Sequence, residues 1–432
     1  MRDLLLMSII VGGSLAALRR PWIGVILWTW VSVMNPHEQF AWRAANWPVA
    51  MIVAVCTLLG LLFTRDRQNP LLGAPAWALL GFTIWTCVTL PFSIHFDESL
   101  PLWDRSMKIF LMVFVTMALL DSREKIDRFI WIIVFSLGFY GVKGGVFTIL
   151  KGGEFLVWGP GGFIGGNNEI ALALVMTIPL MRYLQMQSPR RWIRYALGGS
   201  MLLTAITVLG TYSRGALLAV GVMTLFLWWK TKRKVGSGIV LLVVAATVLT
   251  FMPDKWWGRM ETIGGYQQDT SAMGRINAWW MAWHLAQDRF FGGGFMISTG
   301  EVFRVYAPVP DDVHAAHSIY FQVMGEHGFV GLFLFLAIGI LTWLAAQRLI
   351  GQCAATPATK WAADLAAMVQ VGMVGYAVGG AFLSLAYFDL PYDMMAAVMV
   401  AASVVRKSVA LDATHVGRAT GIAAPERRNT LT

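Results

Sequence analysis

Apolar runs separated by short polar loops set the layout of this chain. They fall at about 4–18, 21–34, 46–63, 75–93, 107–120, 129–149, 169–184, 195–211, 215–229, 236–252, 328–346, 362–386 and 392–405. A helix crossing a bilayer needs about 20 mostly apolar residues, so several of these runs are short. The first two read equally as a hairpin or as one broken helix. The pattern predicts an all-α, polytopic integral membrane protein with about 12 transmembrane helices.

One interval departs from the pattern. From Pro253 to Gly331 the chain is polar for far longer than any other loop. This divides it into N-terminal transmembrane helices (1–252), a long loop (253–316), C-terminal transmembrane helices (317–407) and a polar tail (408–432) expected to be disordered. Within the loop, Ile276, Trp279, Trp280 and Trp283 recur at i, i+3, i+4 and i+7. That spacing predicts an amphipathic helix over 269–286, Trp-rich and lying along the membrane surface. Arg275 is expected in its first turn, where a positive charge opposes the helix dipole.

The loops alternate in charge. One set carries Arg19 and Arg20, Arg65 and Arg67, Arg123 to Arg128, Arg182 to Arg194, the KTKRK run at 230–234, Arg348 and Lys360, and the tail from Arg406. It holds 22 of the 34 Lys and Arg residues. By the positive-inside rule this set is cytoplasmic. The candidate chemistry then lies on the opposite face.

Composition supports the membrane reading. The 432 residues are 57% hydrophobic and only 13% charged, against roughly 25% charged in a soluble domain. The net charge of +10 belongs to the loops and is a topology signal, so no nucleic acid is expected. Three scattered cysteines, Cys56, Cys87 and Cys353, form no disulfide or metal spacing. Met1 to Leu18 runs into Arg19 without a trusted cleavage pattern, so no cleavable signal peptide is expected. Gly375 and Gly379 make a small-xxx-small pair, read as packing within the chain.

Several polar groups stand out against this background. Arg214 follows Tyr212-Ser213 between two apolar runs; an arginine at membrane depth is costly unless paired or facing water, and interfacial snorkelling is its plainer role. His314 and His317 are three apart, which on a helix puts them on one face. No third ligand follows at a metal-site interval. His317 stands at the threshold of an apolar helix, where a neutral imidazole can act as a base; a structural histidine is the alternative. Asn167 and Asn168 follow a Gly-rich turn and either cap the next helix or bind sugar hydroxyls. Lys108, Asp389 and Asp393 are further charges near the outer ends of apolar runs.

At FIGGNNEIALAL (163–174), YSRGALLA (212–219), SAMGRINAWWMAWHLAQDRFFGGGF (271–295) and HSIYFQVMGEHGFVG (317–331) the chain resembles the O-antigen ligase and polymerase superfamily of bacterial envelope glycosyltransferases. The pieces occur in the family's order and cover roughly 160–335. His317 is followed by Ser318 where the family often has asparagine. The resemblance implies a fold of the membrane glycosyltransferase C type in the bacterial inner membrane, with a periplasmic loop containing short helices over the site. It implies a donor glycan on undecaprenyl pyrophosphate, and for the ligase branch, which suits this chain best, a lipid A-core acceptor. The polymerase and protein-glycosylating branches use the same donor, and a transporter of a lipid-linked glycan is the reading from another class. Joined to the residues above, the resemblance makes His317, Arg214 and Arg275 the catalytic set. Lys108, Asn167, Asn168, His314, Tyr320 and Asp389 are substrate-binding candidates. No cofactor or metal is expected; membrane lipids surround what is expected to be a monomer.

Overall fold

The computed structural model describes residues 2–37, 47–230, 250–261 and 270–420, together with positions 236, 238, 239, 242 and 246. Among them the regular structure is helical throughout. Helices α1 (Arg2–Arg19) and α2 (Pro21–Met34) fold back on each other at Arg20, with Gly13 facing Leu27 and Ala17 facing Gly24. The stretch 4–34 is therefore a hairpin. Next come α3 (Val49–Phe63), α4 (Ala74–Thr89, extended by a 3-10 turn over Leu90–Phe92), α5 (Phe96–Leu119), α6 (Arg123–Leu150), α7 (Asn167–Gln187), α8 (Arg191–Gly210) and α9 (Arg214–Lys230). Three helices stand in the long polar interval: α10 (Asp254–Glu261), α11 (Thr270–Asp288) and α12 (Gly300–Tyr306). The chain ends in α13 (Ile319–Cys353), α14 (Lys360–Gly380) and α15 (Asp389–Thr420).

The protein is a polytopic membrane protein. Among the described residues, 6 helices are long and apolar enough to cross a bilayer: α4 with its extension, α6, α7, α8, α13 and α14. α2 and α3 are apolar but shorter. The run at 236–252 lies largely outside the described residues. Several helices outrun their apolar cores. α5 begins at Phe96, inside a stretch whose polarity suggested a loop; Asp97 and Glu98 occupy its first turn, where the helix dipole favours acids. α15 continues to Thr420, so the tail's disorder does not begin at 408, where Val, Ala and Leu keep helical propensity.

α7 lies at the centre, packed on α6, α8, α9 and α14, with Ile170 to Met176 buried without a gap. Small residues set these approaches. Gly141 and Gly144 of α6 face Thr204 and Thr207 of α8, and a Cβ on Gly145 would stand 2.3 Å from the Leu203 carbonyl. α6 and α8 therefore run parallel. Gly375 and Gly379 of α14 meet Val175 and Leu172 of α7, so that pair does pack inside the chain.

The two classes of loop gather at opposite ends of the bundle. At one end Gln68 bonds the carbonyls of Met117 and Leu120 and receives Lys407, while Arg123 reaches Gln187, which reaches Asp364. At the other, Asn35 bonds Gly161, Tyr140 bonds Met34, and the Val157 N–H bonds Gly210. The basic loops thus share one face.

Candidate active site

The site is built on two turns. The first joins α8 to α9. Tyr212 takes a left-handed backbone (φ 57), a conformation that costs energy for a bulky residue and needs support. Its hydroxyl donates to Gly153 O at 2.7 Å, and its own carbonyl accepts from Arg259 Nε at 3.1 Å. Asn167 Nδ2 donates to Thr211 O at 2.8 Å, and Trp256 Nε1 donates to Leu209 O at 3.1 Å. Ser213 is buried, and its hydroxyl accepts from Ala216 N at 3.3 Å, capping α9. Arg214 is the first residue of that helix. Its direction is fixed by a turn anchored from α7, α10 and the Gly-rich loop.

The second turn enters α13. Residues 312–317 form no helix. His314 and His317 therefore do not share a helix face, although three residues separate them. The segment is held along α11 because α11 binds its carbonyls. Asn277 Nδ2 donates to Val309 O at 2.8 Å and Asp312 O at 3.0 Å, and Trp279 Nε1 donates to Ala316 O at 2.7 Å. His317 itself is left-handed (φ 43). His314 lies against Gly274, its Nε2 2.8 Å from Asp312 Oδ1.

α11 turns its small face inward. Gly274, Ala278, Met281, Ala282, Leu285 and Ala286 are buried, while Trp280 and Trp283 are exposed. Trp280 and Trp283 thus face outward, while Trp279 turns inward to the Ala316 carbonyl, so the four residues spaced at i, i+3, i+4 and i+7 do not form one outward face. Helix 270–288 places Arg275 in the second turn, not the first, so opposition to the helix dipole does not explain it.

Arg214 and Arg275 line one groove of about 570 Å³ between α9 and α11. Below the two arginines its wall is apolar: Leu217, Leu218, Val222 and Leu225 from α9, with Trp279 and Phe382 opposite. His317 does not line the groove but lies within electrostatic reach of Arg275, which does. Burial first, then Arg275 and His314 nearby, push its imidazole pKa below the ordinary 6.5. The ring stays neutral at pH 7, the form in which it accepts a proton. Two cations over an apolar groove, beside a neutral imidazole, suit an amphiphile with an anionic head.

The remaining candidates are dispersed. Asn167 spends its amide on the Thr211 carbonyl and so holds the turn; Asn168 is half-buried beside it. Tyr320 donates to Ala377 O at 2.8 Å, away toward α14. Lys108 does not line the groove; it is exposed on α5 and paired with Asp104. Asp389 is buried at the start of α15 and accepts from Ser32 Oγ at 2.7 Å. The structure adds polar residues with no local sequence signal. Arg105 lies 3.6 Å over the Phe163 ring and within electrostatic reach of Asp389. Glu326 and His327 are buried inside α13, the first bonded by Tyr387, the second through Nδ1 to Thr89 Oγ1 at 2.8 Å.

Residues 199–336, which contain Arg214, Arg275 and His317, match the family model of O-antigen ligases. The chain carries an O-antigen ligase-type domain. It is thereby similar to glycosyltransferase-like membrane enzymes. Residues 1–188 match a family of unknown function (DUF5935). No curated protein matches the chain. The O-antigen ligase-type domain begins within α8 and ends within α13, so it brackets both turns of the site and the groove between them.

Proposed function

We propose that the protein is an O-antigen ligase. It transfers a glycan from undecaprenyl pyrophosphate to a sugar hydroxyl of lipid A-core, at the periplasmic face of the bacterial inner membrane. The observation that carries this reading is the groove shared by Arg214 and Arg275, apolar below, with His317 within electrostatic reach of Arg275. The groove takes the upper part of the polyprenyl tail, and the two guanidiniums hold the pyrophosphate in bidentate fashion. His317 removes the proton from the acceptor hydroxyl. The oxygen then bonds to the anomeric carbon as the bond from that carbon to the phosphate oxygen breaks. The electron pair leaves with the polyprenyl pyrophosphate, the proton stays on His317 until water removes it, and the anomeric centre inverts. Charge grows on the leaving group, so arginine countercharge counts for more than a proton donor. In this reading the arginines take the part a divalent metal plays elsewhere. The basic face is cytoplasmic, and the fold is of the membrane glycosyltransferase C type with about twelve crossings.

The test uses purified protein with undecaprenyl-pyrophosphate glycan and rough lipopolysaccharide, in EDTA and without nucleotide. A shift of the core band on a gel, lost in His317→Ala, is the expected result. Longer chains on the undecaprenyl carrier with an unshifted core would instead make it a polymerase. Glycan appearing on protein would make it a protein glycosyltransferase, and an intact donor would point to transport.

A further inference from the structure

At the opposite end of the bundle, a polar pocket of about 200 Å³ lies where the ends of α1, α2, α3, α5 and α6 meet. Its walls include Arg19, Arg20 and Trp22 from the α1–α2 turn, Thr64 and Asp66 after α3, and Lys125 at the start of α6. α6 runs parallel to α8, so this pocket is at the far end from Arg214. It lies wholly within residues 1–188, the part matching a family of unknown function.

The charges around it are unevenly used. Lys125 is paired with Asp121 at 2.9 Å, and Arg128 is paired with Glu124 and lies 5.0 Å over the Trp22 ring. Among the described residues, Arg19, Arg20 and Asp66 form no ion pair, although two cations and one carboxylate line the same pocket. Arg19 also closes the last turn of α1, where a cation is favoured, but Arg20 has no such role. Arg20 stands at the N-cap of α2 without a side-chain cap bond. Exposed charges of both signs that line one pocket without pairing suit a ligand carrying both signs.

We infer that this pocket binds the phosphoethanolamine headgroup of a membrane lipid. The phosphate meets Arg19 and Arg20 in charge-assisted hydrogen bonds, and the ammonium donates to Asp66. Basic pockets between helix ends at a membrane face are suited to lipid headgroups. Asp66 decides among them. It repels a free phosphate, and a quaternary choline offers it no N–H. A bound headgroup fastens the α1–α2 hairpin to the ends of α3 and α6, a structural role for the N-terminal region. Gly60 of α3 lies against the Ala17 carbonyl, so α1 and α3 are already in close contact there. The inference does not rest on the transferase reading, since its test needs no glycan.

The experiment is a thermal-unfolding titration of the purified full chain in detergent, with phosphatidylethanolamine, phosphatidylcholine, phosphatidylglycerol and inorganic phosphate as separate probes. Phosphatidylethanolamine should raise the melting temperature saturably and beyond the other three. Arg20→Gln should weaken its apparent affinity about tenfold or more, the size of one lost charge-assisted hydrogen bond. Asp66→Asn should erase the preference for phosphatidylethanolamine over phosphatidylglycerol while leaving the unliganded melting temperature in place. Equal effects of phosphatidylcholine, full protection by inorganic phosphate, or titrations unaltered by both variants would each overturn the proposal. A folding defect in one variant leaves the wild-type lipid ranking and the other variant to decide.

Discussion

The indole N–H of Trp279 donates to the carbonyl of Ala316 at 2.7 Å, and the residue after Ala316 is His317. The proposed base therefore hangs from α11, the helix that also carries Arg275. Trp279 stacks on Phe321 as well, with ring centroids 5.0 Å apart. Trp279→Phe keeps an aromatic ring at that position and removes the N–H. One net hydrogen bond is worth about 1 kcal/mol, so transfer should fall roughly fivefold to tenfold in a protein that still folds. Unchanged transfer rates on the lipopolysaccharide gel would show that Ala316 is held by the rest of the loop alone.

The pKa of His317 gives a pH dependence with a definite sign. Burial, and then Arg275 and His314, hold it below 6.5. Base catalysis needs the neutral ring, so activity should persist below pH 6.5 and fall only as the pH approaches the lowered value. His317→Ala should cost about 10²–10⁴-fold, the usual span for a general base. Arg275→Gln removes one of the cations that disfavour protonation, so the acid limb of the residual activity should move up toward 6.5. The unfolded chain binds the His317 proton more readily than the native one, so this group also withdraws stability as the pH drops below about 6.5. An acid limb that stays put in Arg275→Gln would mean that a different group sets it.

What could be read in the sequence, and what could not, follows from where partners lie along the chain. Arg214, Arg275 and His317 stood out as charges or imidazoles at the edges of apolar segments, and the helix over 270–288 was visible in its tryptophan spacing. The pairing of His314 with His317 on a helix failed because tertiary hydrogen bonds from Asn277 and Trp279 take up carbonyls of that segment and hold it out of helix. The loop before α5 failed for the opposite reason: its acids and its Asp104–Lys108 pair are compatible with helix. Arg105, Ser32 and Glu326 were silent. Glu326 meets Tyr387 from 61 residues away, and Ser32 meets Asp389 from 357 away; no local spacing encodes such contacts.

Asn167 does not cap α7, whose N-cap is Gly166 without a side-chain bond. Its amide caps the Thr211 carbonyl in the buried turn before Arg214. Leaving that carbonyl unpaired should cost about 1–3 kcal/mol. Asn167→Ala should therefore lower the melting temperature in detergent, whereas Asn168→Ala should change stability by about 0.5 kcal/mol or less. If Asn167→Ala instead melted like the wild type and only raised the donor concentration needed for half-maximal transfer, a substrate-binding role would be restored.

The break in α13 offers the sharpest stability test. Gly328 has φ 68 and ψ −174, a region open essentially to glycine alone. A Cβ there would stand 2.3 Å from the Phe290 carbonyl oxygen. The carbonyls before the break are taken up from outside the helix: Gly325 O by Gly293 N at 2.9 Å, Glu326 O by Gly294 N at 2.9 Å, and His327 O by Trp85 Nε1 at 2.8 Å. The break thus clamps the chain between α11 and α12 onto the helix that begins just after His317. Gly328→Ala should cost about 3 kcal/mol or more, from backbone strain and lost bonds together. Gly339→Ala supplies the control: it lies in the same helix with nothing within 4 Å of its added Cβ, so it should be neutral or stabilise by up to about 1 kcal/mol. Equal melting temperatures for the two variants would mean that α13 can straighten without loss, and the clamp would have to be abandoned.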